Sequence, residues 1–162
     1  MGLMAALLGL LGCDPQRISE LEEGVSTEAD VRARFGEPEN IWDAPRGGRT
    51  LEYNRQPAGH KNYMITIGAD GRMSALRQVL TPENFARVKP GMMVEEVRRL
   101  LGKPMRITPY ALAQEIVYDW RYLAPPNISM VFSVIFSADH RVLRSASAPD
   151  PEAPDNRGGP SR

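Results

Sequence analysis

The chain repeats itself. Residues Gly91 to Pro104 comprise a glycine, a short amphipathic stretch and a closing Gly-Lys-Pro, and residues Gly24 to Pro38 are a looser copy. Ile18, Leu21 and Gly24 match Phe85, Val88 and Gly91 at a shift of 67 residues. Val31, Phe35, Gly36, Pro38 and Ile41 match Val97, Leu101, Gly102, Pro104 and Ile107 at a shift of 66. Further on, Leu51, Tyr53, Tyr63, Ile65, Ile67 and Asp70 match Trp120, Tyr122, Phe132, Val134, Phe136 and Asp139 at a shift of 69. So long a period marks a duplicated module rather than a short-period array. Whatever folds residues 18–80 is expected to fold residues 81–148 again.

Within the second copy Val94, Val97, Leu100 and Leu101 recur at helical spacing, with Glu95, Glu96, Arg98 and Arg99 on the other side. Gly102 and Pro104 stop that helix. In the first copy Val31 and Phe35 carry the apolar face, Gly36 and Pro38 the stop, and Thr27 with Asp30 resembles a capping pair that the second copy lacks. Thr81 and Pro82 open another short helix. Residues Ile41 to Gly48 read as a loop. Thr50–Arg55, Asn62–Gly68 and Met73–Leu80 alternate as strands, with a hairpin at Ala69-Asp70-Gly71-Arg72. Glu115–Leu123, Ser129–Ser137 and Val142–Ala148 repeat them, with His140 in place of the turn glycine. The expected class is α+β: two tandem modules, each of two short helices packed on a three-stranded antiparallel sheet.

A chain of 162 residues suits one medium domain or two small ones. Its formal net charge is zero and its charges are well mixed, which argues against nucleic acid as a partner. The apolar run Leu3 to Gly12 is too short to span a bilayer. It ends at the only cysteine, Cys13, and Leu10-Leu11-Gly12-Cys13 resembles the lipobox of bacterial lipoproteins. On that reading residues 1–12 are a signal peptide, Cys13 is lipidated, and 13–17 form anchor and linker. The other reading is an N-terminal helix with Cys13 as a small buried hydrophobe. No Lys or Arg precedes the run, which fits a natural start further upstream. A single cysteine leaves no intramolecular disulfide, and residues 149–162, rich in proline, glycine and charge, are expected to be disordered.

The tandem of glycine, amphipathic helix, aliphatic-Gly-x-Pro, aromatic strand and hairpin resembles the SmpA/OmlA (BamE-type) lipoprotein family over roughly residues 18 to 147. The doubled arrangement is similar to that of beta-lactamase inhibitory proteins. The resemblance implies a helix-on-sheet module, a lipid anchor at Cys13, and a periplasm-facing place on the outer membrane with the beta-barrel assembly machinery as protein partner. Asp14 allows the inner membrane as well. The family motif carries threonine after its first glycine, where this chain has Met92, Met93 and Val94, and no family binding residue is carried over.

Catalytic chemistry has little to work with. His60 and His140 fall in turns and read as exposed loop residues rather than catalytic or metal-binding ones. No nucleophile elbow, phosphate loop or zinc spacing occurs, and the pairs Glu22-Glu23 and Glu95-Glu96 diverge around their helices. No catalytic residue, metal, cofactor or small-molecule substrate is expected. Tyr118, Trp120 and Tyr122 share one strand face, read as core. Trp42, in a stretch with Pro45, Gly47 and Gly48, reads either as an exposed anchor for a partner or as a buried packing residue. The expected function is a membrane-anchored, non-catalytic protein-binding scaffold in outer-membrane protein assembly or envelope integrity. The alternative is a proteinaceous inhibitor of a periplasmic enzyme.

Overall fold

Among the described residues the duplicated pattern folds into four short α-helices, a 3-10 turn at Pro45–Gly47 and eight strands. The computed structural model describes residues 14–153; the expected signal peptide 1–12, the expected lipidation site Cys13 and residues 154–162 of the expected tail lie outside the described residues. Helix α1 spans Asp14–Ser19 and α2 spans Glu28–Phe35. Thr27 starts α2 as a full capping box: the Asp30 amide donates to Thr27 Oγ1 at 3.3 Å, and the Thr27 amide donates to Asp30 Oδ2 at 2.8 Å. Helix α3 spans Pro82–Phe85 behind the Thr81 cap, and α4 spans Val94–Leu101. At α4 half of the box survives, because the Met93 amide donates to Glu96 Oε2 at 2.7 Å. The carboxylate at the third helical position is legible in the sequence; the missing hydroxyl at position 93 hides it.

The strands are β1 (Asn40–Asp43), β2 (Arg49–Asn54), β3 (Asn62–Ile67), β4 (Met73–Gln78), β5 (Arg106–Tyr110), β6 (Glu115–Ala124), β7 (Ile128–Ser137) and β8 (Val142–Pro149). They form two antiparallel sheets, ordered β1-β2-β3-β4 and β5-β6-β7-β8. Each sheet therefore has four strands, not three. The extra strand is at an edge in both: β1 is only four residues long, three of them inside the expected Ile41–Gly48 loop, and β5 contains Pro109. A strand that short shows no readable alternation, and proline is tolerated at an edge because one side of the strand needs no donor.

Equivalent residues make equivalent bonds. Gly24 donates to Met73 O at 2.7 Å and Gly91 to Val142 O at 2.8 Å; the Glu28 and Val94 amides reach Gly71 O and His140 O, both at 3.1 Å. Gly71 and His140 both adopt positive φ, 78° and 62°, so the histidine occupies the conformation that the first hairpin gives to glycine. Pro57 and Pro126 both follow cis peptide bonds. Each module has its own core. In the first, Val31 and Phe35 meet Leu51, Tyr53, Tyr63 and Ile65; in the second, Phe85, Val97 and Leu101 meet Trp120, Phe132 and Val134.

The chain stays ordered past the expected start of the tail. Strand β8 runs to Pro149, and Asp150 is buried, its amide donating to Ser129 O at 3.1 Å. Proline and charge at 149–153 suggested disorder, but Pro149 closes an edge strand and the charges are paired. No helix among the described residues is long and apolar enough to cross a membrane.

Candidate interaction site

Two polar joints hold the modules together, and each is built from residues that read as solvent-facing. On the outer face of the first sheet Glu52 and Asn62 are fully buried under the end of α4. Glu52 accepts from the Lys103 amide at 2.6 Å and from Trp42 Nε1 at 3.0 Å. Asn62 Nδ2 donates to Leu101 O at 2.8 Å and Lys103 O at 3.0 Å, satisfying carbonyls that a helix end leaves open. Lys103 also pairs with Glu39. Trp42 thus lies in β1, half-buried, with its nitrogen tied to Glu52 and the Arg99 guanidinium 4.8 Å from its ring.

The second joint connects the 54–62 segment to the far end of the second sheet. The Gln56 side chain pairs with the backbone of Arg121 in both directions, at 2.8 and 3.1 Å, extending the ladder where β5 no longer covers β6. Arg121 reaches Asp150 at 2.6 Å and Glu152 at 2.7 Å. His60 is half-buried here, with Nε2 3.0 Å from Ser129 Oγ. Ser129 in turn donates to Asp150 Oδ2 at 2.7 Å. Against the opposing pull of burial, hydrogen bonds with Ser129 and Glu152 and the Arg121 charge hold the Asp150 carboxyl below its ordinary range. An ionised carboxylate only accepts, so the serine proton points to Asp150 and His60 must donate to the hydroxyl through Nε2. That order is the reverse of a nucleophile activated by a histidine base; the cluster latches two modules.

Burial, reinforced by the Arg121 charge and opposed by Asp150, holds His60 below the usual imidazole range. Folding therefore disfavours its protonation. The latch is at full strength above the unfolded pKa of about 6.5 and weakens as pH falls through and below it. In thermal melts across that window, His60→Gln is expected to show a smaller loss of stability on acidification than the parent chain. Equal pH dependence in the two proteins would contradict the latch.

The other expected residues fall as follows. His140 is exposed in the β7–β8 turn. Trp120 and Tyr122 are buried, and Tyr118 packs against the same core. Their opposite face carries Asp119, which accepts from Ser133 at 2.6 Å and Arg106 at 3.0 Å.

The most exposed large apolar side chain among the described residues lies on a hairpin. Strands β5 and β6 pair from Arg106↔Asp119 to Tyr110↔Glu115, and residues 111–114 turn the chain with Gln114 at φ 53°. The turn is closed by Ala113 N–H to Tyr110 O at 3.1 Å and Gln114 N–H to Ala111 O at 3.2 Å. Leu112 at the tip is 105% exposed, and Tyr110 and Ile107 on the same arm are 53% and 50% exposed. Residues Tyr110-Ala-Leu-Ala-Gln114 contain no charge. In the first module the matching β1–β2 connection is a closed turn around Pro45–Gly47, with the charged Arg46 at its centre. The apolar tip is therefore an addition peculiar to the second copy. Uncharged, apolar residues inside a turn are the signal that reading the sequence for helices and strands passed over.

No family model matches the chain, and no curated protein matches it. Among solved structures, a DUF4309 family protein (YjgB) from Bacillus subtilis is 22% identical, over 84% of this chain and 86% of that one, with a TM-score of 0.34. A "putative beta-lactamase inhibitor protein" from Streptococcus mutans is 9% identical over 76% and 82%, with a TM-score of 0.35. An SCP-domain extracellular protein from Bacillus anthracis is 11% identical over 95% of this chain but 57% of that one, with a TM-score of 0.33. None of these is an SmpA/OmlA protein, and no SmpA/OmlA family model matches. The resemblance to that family does not hold: the tandem of glycine, amphipathic helix, Gly-x-Pro stop, aromatic strand and hairpin that carried it belongs here to sheets of four strands, not the three expected.

Proposed function

We propose that this chain is a protein-binding module without a catalytic centre, which docks the apolar tip of its β5–β6 hairpin into a cleft on a partner protein as an enzyme inhibitor does. The observation that carries this reading is Leu112, wholly exposed at the end of a two-stranded arm and flanked by Tyr110. Burying such side chains is worth about 1.5–3 kcal/mol each. An arm already held by its ladder loses little freedom on docking, and an exposed tyrosine beside an aliphatic tip fits the aromatic anchors that dominate binding energy. Lipidation at Cys13 belongs to the same proposal, as a tether that presents the module at a membrane surface through residues 13–17. An envelope-assembly role leaves with the family on which it rested.

The test is titration of the chain against secreted and periplasmic hydrolases, serine beta-lactamases included. Inhibition is expected from the parent chain and a roughly 100-fold weaker inhibition constant from Leu112→Asp. Because Leu112 touches solvent alone, the melting temperature should stay within error. Absence of inhibition across the panel, or equal potency of the variant, would remove the reading.

A further inference from the structure

The duplicated modules finish their sheets differently. In the first, the outer edge of β4 is closed: Met73 exchanges backbone bonds with Gly24 and Ser26 at 2.7 and 2.8 Å. The next outward amide, Leu76 N–H, donates to Glu23 Oε1 at 3.1 Å, and Arg77 pairs with the same carboxylate. In the second module Val142 makes the same backbone exchange with Gly91 and Met92, at 2.8 Å each. The position of Glu23 is there taken by Pro90, which has no side-chain acceptor, and the positions of Leu76 and Gln78 are Ser145 and Ser147.

Strand geometry fixes which way these amides point. Asp150 N–H donates to Ser129 O on β7, so by alternation Ala148 and Ala146 turn their main-chain groups to β7 while Ser145, Ser147 and Pro149 turn theirs outward. Pro149 loses no donor there. Every residue from Leu143 to Pro149 is exposed, and no side chain among the described residues stands at this edge as Glu23 does at β4. The other outer edges are poorer templates, β1 by its four residues and β5 by Pro109.

We propose that β8 pairs antiparallel with β8 of a second copy of this chain, about a two-fold axis at Ala146. The sequence Ser145-Ala146-Ser147 reads the same in both directions, so this register lets the outward groups of one copy meet those of the other. Ser145 lies opposite Ser147 of the second copy, and each such pair exchanges both N–H···O bonds, about four in all. Serine and alanine leave nothing bulky at the seam. Arg144 faces Ala148 of the second copy rather than a like charge, and is held by Glu115 of its own chain at 2.8 and 3.0 Å. The contact is isologous and closed. It turns an open edge, a template for uncontrolled pairing, into the centre of one sheet continuous across both copies. The inference rests on the fold and the duplication, independently of the hairpin reading.

Sedimentation equilibrium of the full chain tests it. A concentration-dependent monomer–dimer equilibrium is expected, and Ser147→Pro should raise its dissociation constant about tenfold or more, because it deletes outward donors without touching the β7 ladder. In a Cys13→Ser background, Ala146→Cys places two thiols at facing positions with Cα atoms about 4.5 Å apart, within disulfide reach. That variant should crosslink between copies under mild oxidation much faster than Ala148→Cys, which faces Arg144. A chain that stays monomeric at all concentrations, or that crosslinks equally from both positions, overturns the proposal.

Discussion

Trp120→Ala is expected to cost about 4 kcal/mol, a large share of the stability that holds a typical domain together. Trp120 is fully buried in the core of the second module, so truncation leaves an indole-sized void among side chains fixed by a helix and a sheet. It also removes the donor that binds Gly102 O at 3.0 Å, one of the open carbonyls at the end of α4. For a chain of this size the melting temperature should fall by roughly 10 °C or more. Trp120→Phe separates the two parts: it keeps most of the packing, loses the indole donor, and is expected to cost about 1–2 kcal/mol. A near-neutral Trp120→Ala would mean that the core is not assembled as described.

Gly102→Ala follows, at about 3 kcal/mol. The glycine ends α4 at φ 76° and ψ −165°, a region that costs a side-chain-bearing residue on the order of 1–3 kcal/mol. A Cβ there would stand 3.0 Å from Asn62 Nδ2 and 3.2 Å from Glu52 Oε1. Neither neighbour can yield cheaply, because Asn62 is bonded to Leu101 O and Lys103 O, and Glu52 to the Lys103 amide and Trp42. The duplication supplies the control. Gly36 has φ 83° but nothing within 4 Å of its Cβ position, so Gly36→Ala carries backbone strain alone, about 1–2 kcal/mol. Chemical denaturation of both variants should rank Gly102→Ala as the more damaging; equal losses would show that the joint at Glu52 and Asn62 is not tight.

These two residues also show what a sequence makes legible. Gly102 and Trp120 stand out in the repeat, because helix stops and strand alternation are local patterns that survive duplication. The second-sheet strands expected at Glu115–Leu123 and Ser129–Ser137 lie within one residue of those observed at each end. Edge strands β1 and β5 are hard to see because one is too short to alternate and the other is broken by proline. Glu52 and Asn62 are hidden for a different reason. Each occupies the face of its strand opposite the core, where a polar residue ordinarily meets water, and only the packing of the second module's helix over that face buries it. Asp150 is masked by its composition, sitting among prolines and charges while its partners Arg121 and Ser129 lie 29 and 21 residues away. Leu112 is visible as an apolar residue in an uncharged turn, but catalytic motifs and buried stripes give no reason to single it out.

The duplication gives the molecule a division of labour. The first copy closes its β4 edge with Glu23 and carries the charged Arg46 at the centre of its β1–β2 turn. The second extends an apolar hairpin, leaves the β8 edge open, and clamps onto the first through Lys103 and Arg121. The first module thus acts as the base on which the second is held.

The most direct test of protein binding through the hairpin is a photo-reactive amino acid placed at Leu112 and, in parallel, at the exposed Val25 of the first module, activated in living cells. Hairpin docking predicts a discrete crosslinked protein from position 112 that is absent from position 25. Identical products from both positions, or none from position 112, would contradict it.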